Sequence, residues 1–177
     1  TDIAGIHDYD EEPEHIAERY RSQEVIGRLF TYERPGGRLL TVDGHEHAGQ
    51  PIVLSEFGGI AFSEDTEHTW GYTRSANAAE FAAQYTALLD VVRQLPLFAG
   101  FCYTQFADTY QESNGLLYAD RTPKFPLEQM RQATRGPWTE DKERREEAWR
   151  MRIMERRSHQ TRQQGSKSTA EVEPNAS

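Results

Sequence analysis

The chain has 177 residues, enough for one domain, with 36% hydrophobic and 28% charged residues and a formal net charge of −9. It holds no apolar run long enough to cross a membrane, and its charge is uneven: nine Lys/Arg against eight Asp/Glu from Pro137 onward, leaving 11 against 21 for residues 1–136. An acidic body of this kind repels phosphate backbones and anionic lipid, so nucleic-acid and membrane partners are disfavoured while neutral sugars are not.

The opening Thr1-Asp2-Ile3 has no initiator Met, basic stretch or signal-like apolar core, so it reads as a cut point; targeting information is missing and the cytoplasm is the working expectation. Three apolar segments read as buried strands: Asp2-Ile3-Ala4-Gly5-Ile6, Pro51-Ile52-Val53-Leu54, and Leu97-Phe98-Ala99-Gly100-Phe101-Cys102-Tyr103. After the first, Pro13 opens a helix through His15, Ile16 and Tyr20. The connection from Pro35-Gly36-Gly37 to Gly49 then reads as loop-rich. Between the second and third, Asn77 with Glu80 makes a capping box, and Phe81, Tyr85, Leu88, Leu89 and Val92 share one helix face, closed by Pro96. A last helix runs from about Phe125 with Leu127 and Met130 to Gly136-Pro137. Cys102, the single cysteine, lies in an apolar run and is expected to be a buried structural thiol.

Strand and helix alternating at a spacing of about 45 residues imply an α/β fold of βα units on a parallel sheet. A closed (β/α)₈ barrel takes about 250 residues, so barrel material of this length is the last third of one, a partial TIM barrel of three βα units. The expected division is residues 1–136 as that part and 137–177 as a tail. In the tail a charged run from Thr139 to Arg157 reads as a solvated helix, and the Gln/Ser/Thr-rich end as disorder.

Polar residues cluster where each strand ends: His7, Asp8 and Tyr9 after the first, Ser55 and Glu56 after the second, Gln105, Asp108 and Glu112 after the third. Parallel strands bring those ends to one rim, which is where barrel active sites sit. Glu56 is the most telling, because it follows Ile52-Val53-Leu54 directly and precedes Phe57-Gly58-Gly59. A carboxylate at such a strand tip is expensive to leave unpaired. Either it caps backbone N–H groups or pairs with an Arg, or it does chemistry. For Tyr9 the residues alone favour an aromatic packing on the rim over a direct catalytic contact. His45-Glu46-His47 alternates ligands in a Gly-flanked loop without a third and fourth ligand, so it reads as solvated loop, and no metal is expected. Asp10-Glu11-Glu12 with Glu14 reads as a helix N-terminus collecting acids rather than a calcium loop. Cys102 with His7 has no motif to support a thiol dyad.

Pro51-Ile52-Val53-Leu54-Ser55-Glu56-Phe57-Gly58-Gly59 resembles the nucleophile strand of glycoside hydrolase family 2, the seventh of its barrel. The segment from Gly100-Phe101-Cys102-Tyr103-Thr104-Gln105 through Gln111-Glu112-Ser113-Asn114-Gly115-Leu116 to Thr122-Pro123-Lys124 is similar to the eighth strand and its loop. Ile6-His7-Asp8-Tyr9 resembles the end of the sixth. The resemblance covers residues 2–135 and implies a retaining β-glycosidase, galactosidase-like, acting on a β-linked carbohydrate without a cofactor. It makes Glu56 the nucleophile and Tyr9 the residue that orients it, with His7, Trp70, Tyr103, Asp108, Glu112 and Asn114 lining the sugar site. A retaining mechanism takes a second carboxyl group about 5–5.5 Å from the nucleophile. In the family that acid/base Glu follows an Asn at the fourth strand, and this chain has no Asn-Glu pair, so the general acid is expected outside it. Thr104 stands where many members carry a Trp platform, for which Tyr103 or Trp70 are the substitutes. Trp70 reads either as a lid over the sugar or as a hydrophobic anchor for its loop. Glucuronide-cleaving members place an Asn and a Lys two apart after the eighth strand; here Asn114 is followed by Leu116, which disfavours a glucuronidase. The rival reading is a non-enzymatic interaction piece acting through the acidic body and charged tail.

Overall fold

A computed structural model describes residues 2–22, 24–31, 39–42, 44–63, 71–137, 139, 143–144 and 147–154. In chain order the elements are β1 (Ala4–Asp8), α1 (Pro13–Tyr20), α2 (Val25–Thr31), β2 (Ile52–Gly58), β3 (Ile60–Ala61), β4 (Thr73–Arg74), α3 (Ala78–Val92), β5 (Phe98–Thr104) and α4 (Leu127–Arg135). β1, β2 and β5 form a parallel sheet in the order β1-β2-β5, and β3 pairs with β4 in a second, two-stranded parallel sheet. The fold is mixed α/β, and among the described residues no further strand pairs with β1 or β5 to close the larger sheet. No helix among the described residues is long and apolar enough to cross a membrane.

The local signals in the sequence act where they stand. Pro13 opens α1 with its fixed φ and missing donor, and Ile16 and Tyr20, four apart, are both fully buried. Asn77 caps α3 by accepting from the Glu80 N–H at 2.9 Å, but the Glu80 carboxylate reaches back to the Ala76 N–H, at 2.6 Å, one residue beyond the partner in the usual box. Phe81, Ala82, Tyr85, Leu88, Leu89 and Val92 make the buried face of α3, which packs against both α1 and α4. Each large side chain on such a stripe contributes about 1.5–3 kcal/mol by leaving water. The Tyr85 hydroxyl pairs with Thr134 Oγ1 at 2.7 Å, tying α3 to α4. Gly136, at φ +72°, ends α4.

Two readings need correction. The third apolar segment forms β5 but not a buried strand: no residue from Phe98 to Thr104 is fully buried, and Ala99 and Cys102 are exposed. Cys102 is therefore exposed, not a buried structural thiol. Within α4, Met130 and Ala133 are buried and Leu127 is 62% exposed; Phe125, just before the helix, is buried too. Helix α2 and the β3–β4 pair are elements beyond the strands and helices expected.

The chain divides into two units after Gly136. In the second, residues 143–144 and 147–154 are helical, with Trp149, Met151 and Met154 exposed. The expected disordered end lies outside the described residues.

Candidate active site

The irregularity in the β1–β2 ladder sets the site. Ile6 pairs with Leu54, but the next residue, His7, pairs with Glu56, so Ser55 is passed over. Its hydroxyl donates to the Ile6 carbonyl at 3.2 Å, and Gly5 leaves room for it: a Cβ on Gly5 would lie 2.8 Å from Ser55 Oγ. Glu56 is thereby placed opposite His7, two residues before the end of β2. Its Oε2 accepts from the Tyr9 hydroxyl at 2.8 Å and lies 3.2 Å from His7 Nδ1. The side chains of His7 and Glu56 are 58% and 45% exposed, so the carboxylate can be reached from solvent.

Tyr9 also lies 3.3 Å from Thr104 Oγ1 on β5, so three strand ends meet at its hydroxyl. Burial pushes the Tyr9 phenol up to about 12; Thr104 opposes this, and the carboxylate it donates to adds to it. At neutral pH Tyr9 is consequently a protonated phenol that donates to the Glu56 carboxylate.

The Gly58-Gly59 pair that follows is required twice over. Both have positive φ, +89° and +67°. A Cβ on Gly58 would sit 2.2 Å from the Tyr103 ring, and one on Gly59 would sit 2.5 Å from the Tyr72 ring and 3.1 Å from Tyr9. Tyr9 and Tyr72 stack, with centroids 3.9 Å apart and planes 17° from parallel. Tyr103 packs edge-on against Phe57 and Tyr85, at 5.6 and 4.9 Å, behind the glycines. Burial, aided by Tyr85, pushes its phenol well above the usual tyrosine range, against an opposing interaction with the Ile60 backbone.

The loop after β5 forms a second polar cluster. Asp108 accepts from Lys124 Nζ at 2.8 Å and from the Gly115 N–H at 2.9 Å; Lys124 also donates to the carbonyls of Phe62 and Ser113, both at 2.7 Å. Burial lowers the Lys124 pKa and Asp108 counters it. Asn114 is 1% exposed and accepts from Gln105 Nε2 at 2.7 Å, while its Nδ2 has no partner among the described residues. Glu112 is half-buried on this loop, its carbonyl accepting from the Thr109 N–H at 3.1 Å. Of the expected site residues, then, Tyr9, His7 and Glu56 are brought together. Asp108 and Asn114 belong to the second cluster, Tyr103 lies behind the first, and Trp70 is outside the described residues.

Several contributors escaped sequence reasoning. Thr104 and Tyr72 touch Tyr9 from elements 95 and 63 residues away along the chain, distances no periodicity reports. Asp8 is buried and accepts from the Tyr20 hydroxyl at 2.6 Å, the Asp10 N–H at 3.1 Å and Arg19, which also holds Asp10 at 2.7 Å. That network anchors the β1 end from behind, and the buried Asp between His7 and Tyr9 was its only trace in the sequence. A cavity of about 580 Å³ lined by Ala4, Gly5, Phe30, Leu40 and His47 lies by the start of β1, away from Glu56. His47 there stacks on Phe30 and donates from Nε2 to the Gln50 carbonyl, 2.8 Å away, and among the described residues no three His, Cys, Asp or Glu are grouped to hold a metal ion.

No family model matches the chain, and no curated protein matches it. Among solved structures it is similar to a Faecalibacterium prausnitzii beta-glucuronidase, at 19% identity over 77% of this chain with a TM-score of 0.44. It is also similar to a Bifidobacterium dentium beta-glucuronidase complexed with coumarin-3-O-glucuronide, at 22% identity over 50% of this chain with a TM-score of 0.36. The chain spans 22% and 15% of the length of those two proteins.

Proposed function

We propose that this chain is the nucleophile-bearing part of a retaining β-glycosidase of glycoside hydrolase family 2, galactosidase-like, comprising the last three βα units of its catalytic barrel. The observation that carries the proposal is the Glu56 carboxylate at a parallel strand tip, reachable from solvent and held by the Tyr9 hydroxyl at 2.8 Å and His7 at 3.2 Å. The motif resemblance over residues 2–135 supports it independently of that geometry.

In this reading Glu56 attacks the anomeric carbon, forming a covalent glycosyl-enzyme while the aglycone oxygen leaves with a proton from the acid/base carboxyl supplied by the rest of the barrel. Tyr9 orients Glu56 through its hydrogen bond. His7 borders the sugar; Asp108 and Asn114 shape the loop that carries Glu112, Tyr103 backs the Gly58-Gly59 turn, and Trp70 is the candidate stacking residue for the sugar. The chain alone supplies no general acid, worth typically about 10²- to 10⁴-fold, so it does not turn over a glycoside by itself. The rival is a non-enzymatic interaction piece.

The test is trapping with a 2-deoxy-2-fluoro-β-galactoside on the full-length protein that contains this chain. The expected result is a stable adduct on Glu56, absent in Glu56→Gln, which keeps the shape and removes the charge. An adduct on another residue, or near-normal turnover by Glu56→Gln, overturns the assignment. Failure of a panel of aryl β-glycosides to react with the intact protein favours the interaction piece.

A further inference from the structure

We propose that Tyr72 is a positioning residue for the Glu56 site, its ring fixing the Tyr9 phenol so that the hydroxyl stays on the carboxylate. The inference rests on the reading of Glu56 as nucleophile. Tyr9 lies just past the last residue of β1, where ladder hydrogen bonds no longer restrain the backbone. A phenol there has free rotamers unless something packs on its ring. The stacked Tyr72 ring, 3.9 Å away and nearly parallel, is that packing.

The surrounding chain is built to hold the stack. The Tyr72 N–H donates to the Gly59 carbonyl at 3.0 Å, and the following residues pair with β3, Thr73 with Ile60 and Arg74 with Ala61. Gly59, with no side chain, lets both rings approach the backbone that leaves β2. The Thr73 hydroxyl donates to the Glu11 carboxylate, stitching β4 to the segment two residues beyond Tyr9. The short β3–β4 sheet therefore has a local consequence: it carries Tyr72 back to the exit of the nucleophile strand. Tyr72 is also 51% exposed, which is a poor place for a residue whose task is core anchorage. Half-covering Tyr9 beside the carboxylate explains it better. The titratable groups around the Tyr9 hydroxyl are Glu56 and His7 from β2 and β1 and Tyr72 from the stack, with Thr104 the neutral neighbour from β5.

The experiment compares Tyr72→Phe, Tyr72→Leu and Tyr72→Ala in the full-length protein that contains this chain, with two readouts. The first is the Tyr9 titration, followed by NMR on ζ-¹³C tyrosine and assigned by its loss in Tyr9→Phe. The second is the inactivation rate constant and the binding constant for the fluoro-galactoside. Tyr72→Phe keeps the ring and is expected to retain both within about twofold. Tyr72→Ala is expected to slow inactivation about tenfold at nearly unchanged binding, short of the roughly 10²-fold that a 1 Å misplacement can cost, and to bring the Tyr9 titration down from about 12. Tyr72→Leu, apolar but not planar, falls between and guards against a folding defect in the Ala variant. Wild-type values for both readouts in Tyr72→Ala would overturn the proposal, as would a Phe variant as impaired as the Ala variant. If the wild-type protein is never labelled, the glycosidase reading falls, while the Tyr9 titration still decides whether Tyr72 positions the phenol.

Discussion

Glu56 and Asp108 are both carboxylates carried beyond or to the ends of parallel strands, and the fold treats them oppositely. The Glu56 side chain keeps 45% of its surface exposed and has a phenol and an imidazole beside it; that of Asp108 keeps 12% and faces a Lys124 side chain with no exposure at all. Lys124 further satisfies two backbone carbonyls, so the second cluster is a closed knot that organises the loop after β5. The first keeps a carboxylate oxygen within reach of a ligand. Polar residues gathered at a strand rim are thus of two kinds, and accessibility of the charged oxygen separates them better than residue type does.

The sharpest way to break this comparison is to exchange the effects of removing charge. Lys124→Met leaves Asp108 buried without its cation and is expected to destabilise the unit by about 3–5 kcal/mol. Glu56→Gln should stay within about 0.5 kcal/mol, as for an open surface site. Urea denaturation of both variants decides it. A Glu56→Gln loss as large as that of Lys124→Met would make Glu56 a structural carboxylate and remove the contrast.

Next in size is Gly59→Ala, which places a Cβ at φ +67° and 2.5 Å from the Tyr72 ring. The strained backbone is expected to cost about 1–3 kcal/mol. Because the same Cβ pushes at Tyr9, fluoro-galactoside labelling should fall alongside the melting temperature. Away from both clusters, Asn77→Ala removes only the α3 cap, for a loss of about 1 kcal/mol with labelling unchanged. Labelling that dropped with Asn77→Ala would show that the readout follows general stability rather than the site.

What the sequence disclosed follows from how local each cause is. β1 and β2, and the helices α1 and α3, are dictated by apolar spacing, a Pro at N1 and an Asn cap within a few residues, and they stand close to where that pattern puts them. Glu56 was legible because a carboxylate directly after an apolar strand and before two glycines is a local anomaly. Lys124 pairing with Asp108 across 16 residues of irregular loop leaves no such trace, and neither does Tyr72 on Tyr9. The exposure of Cys102 depends on what does not cover β5, and a strand's own residues cannot encode the absence of a neighbour on one face.

The smallest effect is a pH dependence that should separate the two clusters again. Tyr9 is raised from 10.0 to about 12, chiefly by burial. A phenol that holds its proton more tightly in the folded chain than in the unfolded one adds stability that is fully present below about pH 10. That stability is lost as pH climbs through the folded value, so the window is pH 10–12. Tyr9 is partly open to water, so the slope is shallow, and Tyr103, more deeply buried, carries the decline to higher pH. Lys124 works with the opposite sign: its pKa is lowered from 10.5 by burial, so stability tied to it is gained as pH rises toward 10.5. Urea midpoints between pH 9 and 12 should therefore decline least in Tyr9→Phe, which has no phenol to ionise at the Glu56 site. Tyr72→Ala, which uncovers Tyr9, should lower the upper end of that window toward pH 10 and shrink the decline. A Tyr9→Phe profile superimposable on wild type across this window would mean that the phenol is not held by the fold, and the hydrogen bond it gives Glu56 could not then be the element that sets the open cluster apart.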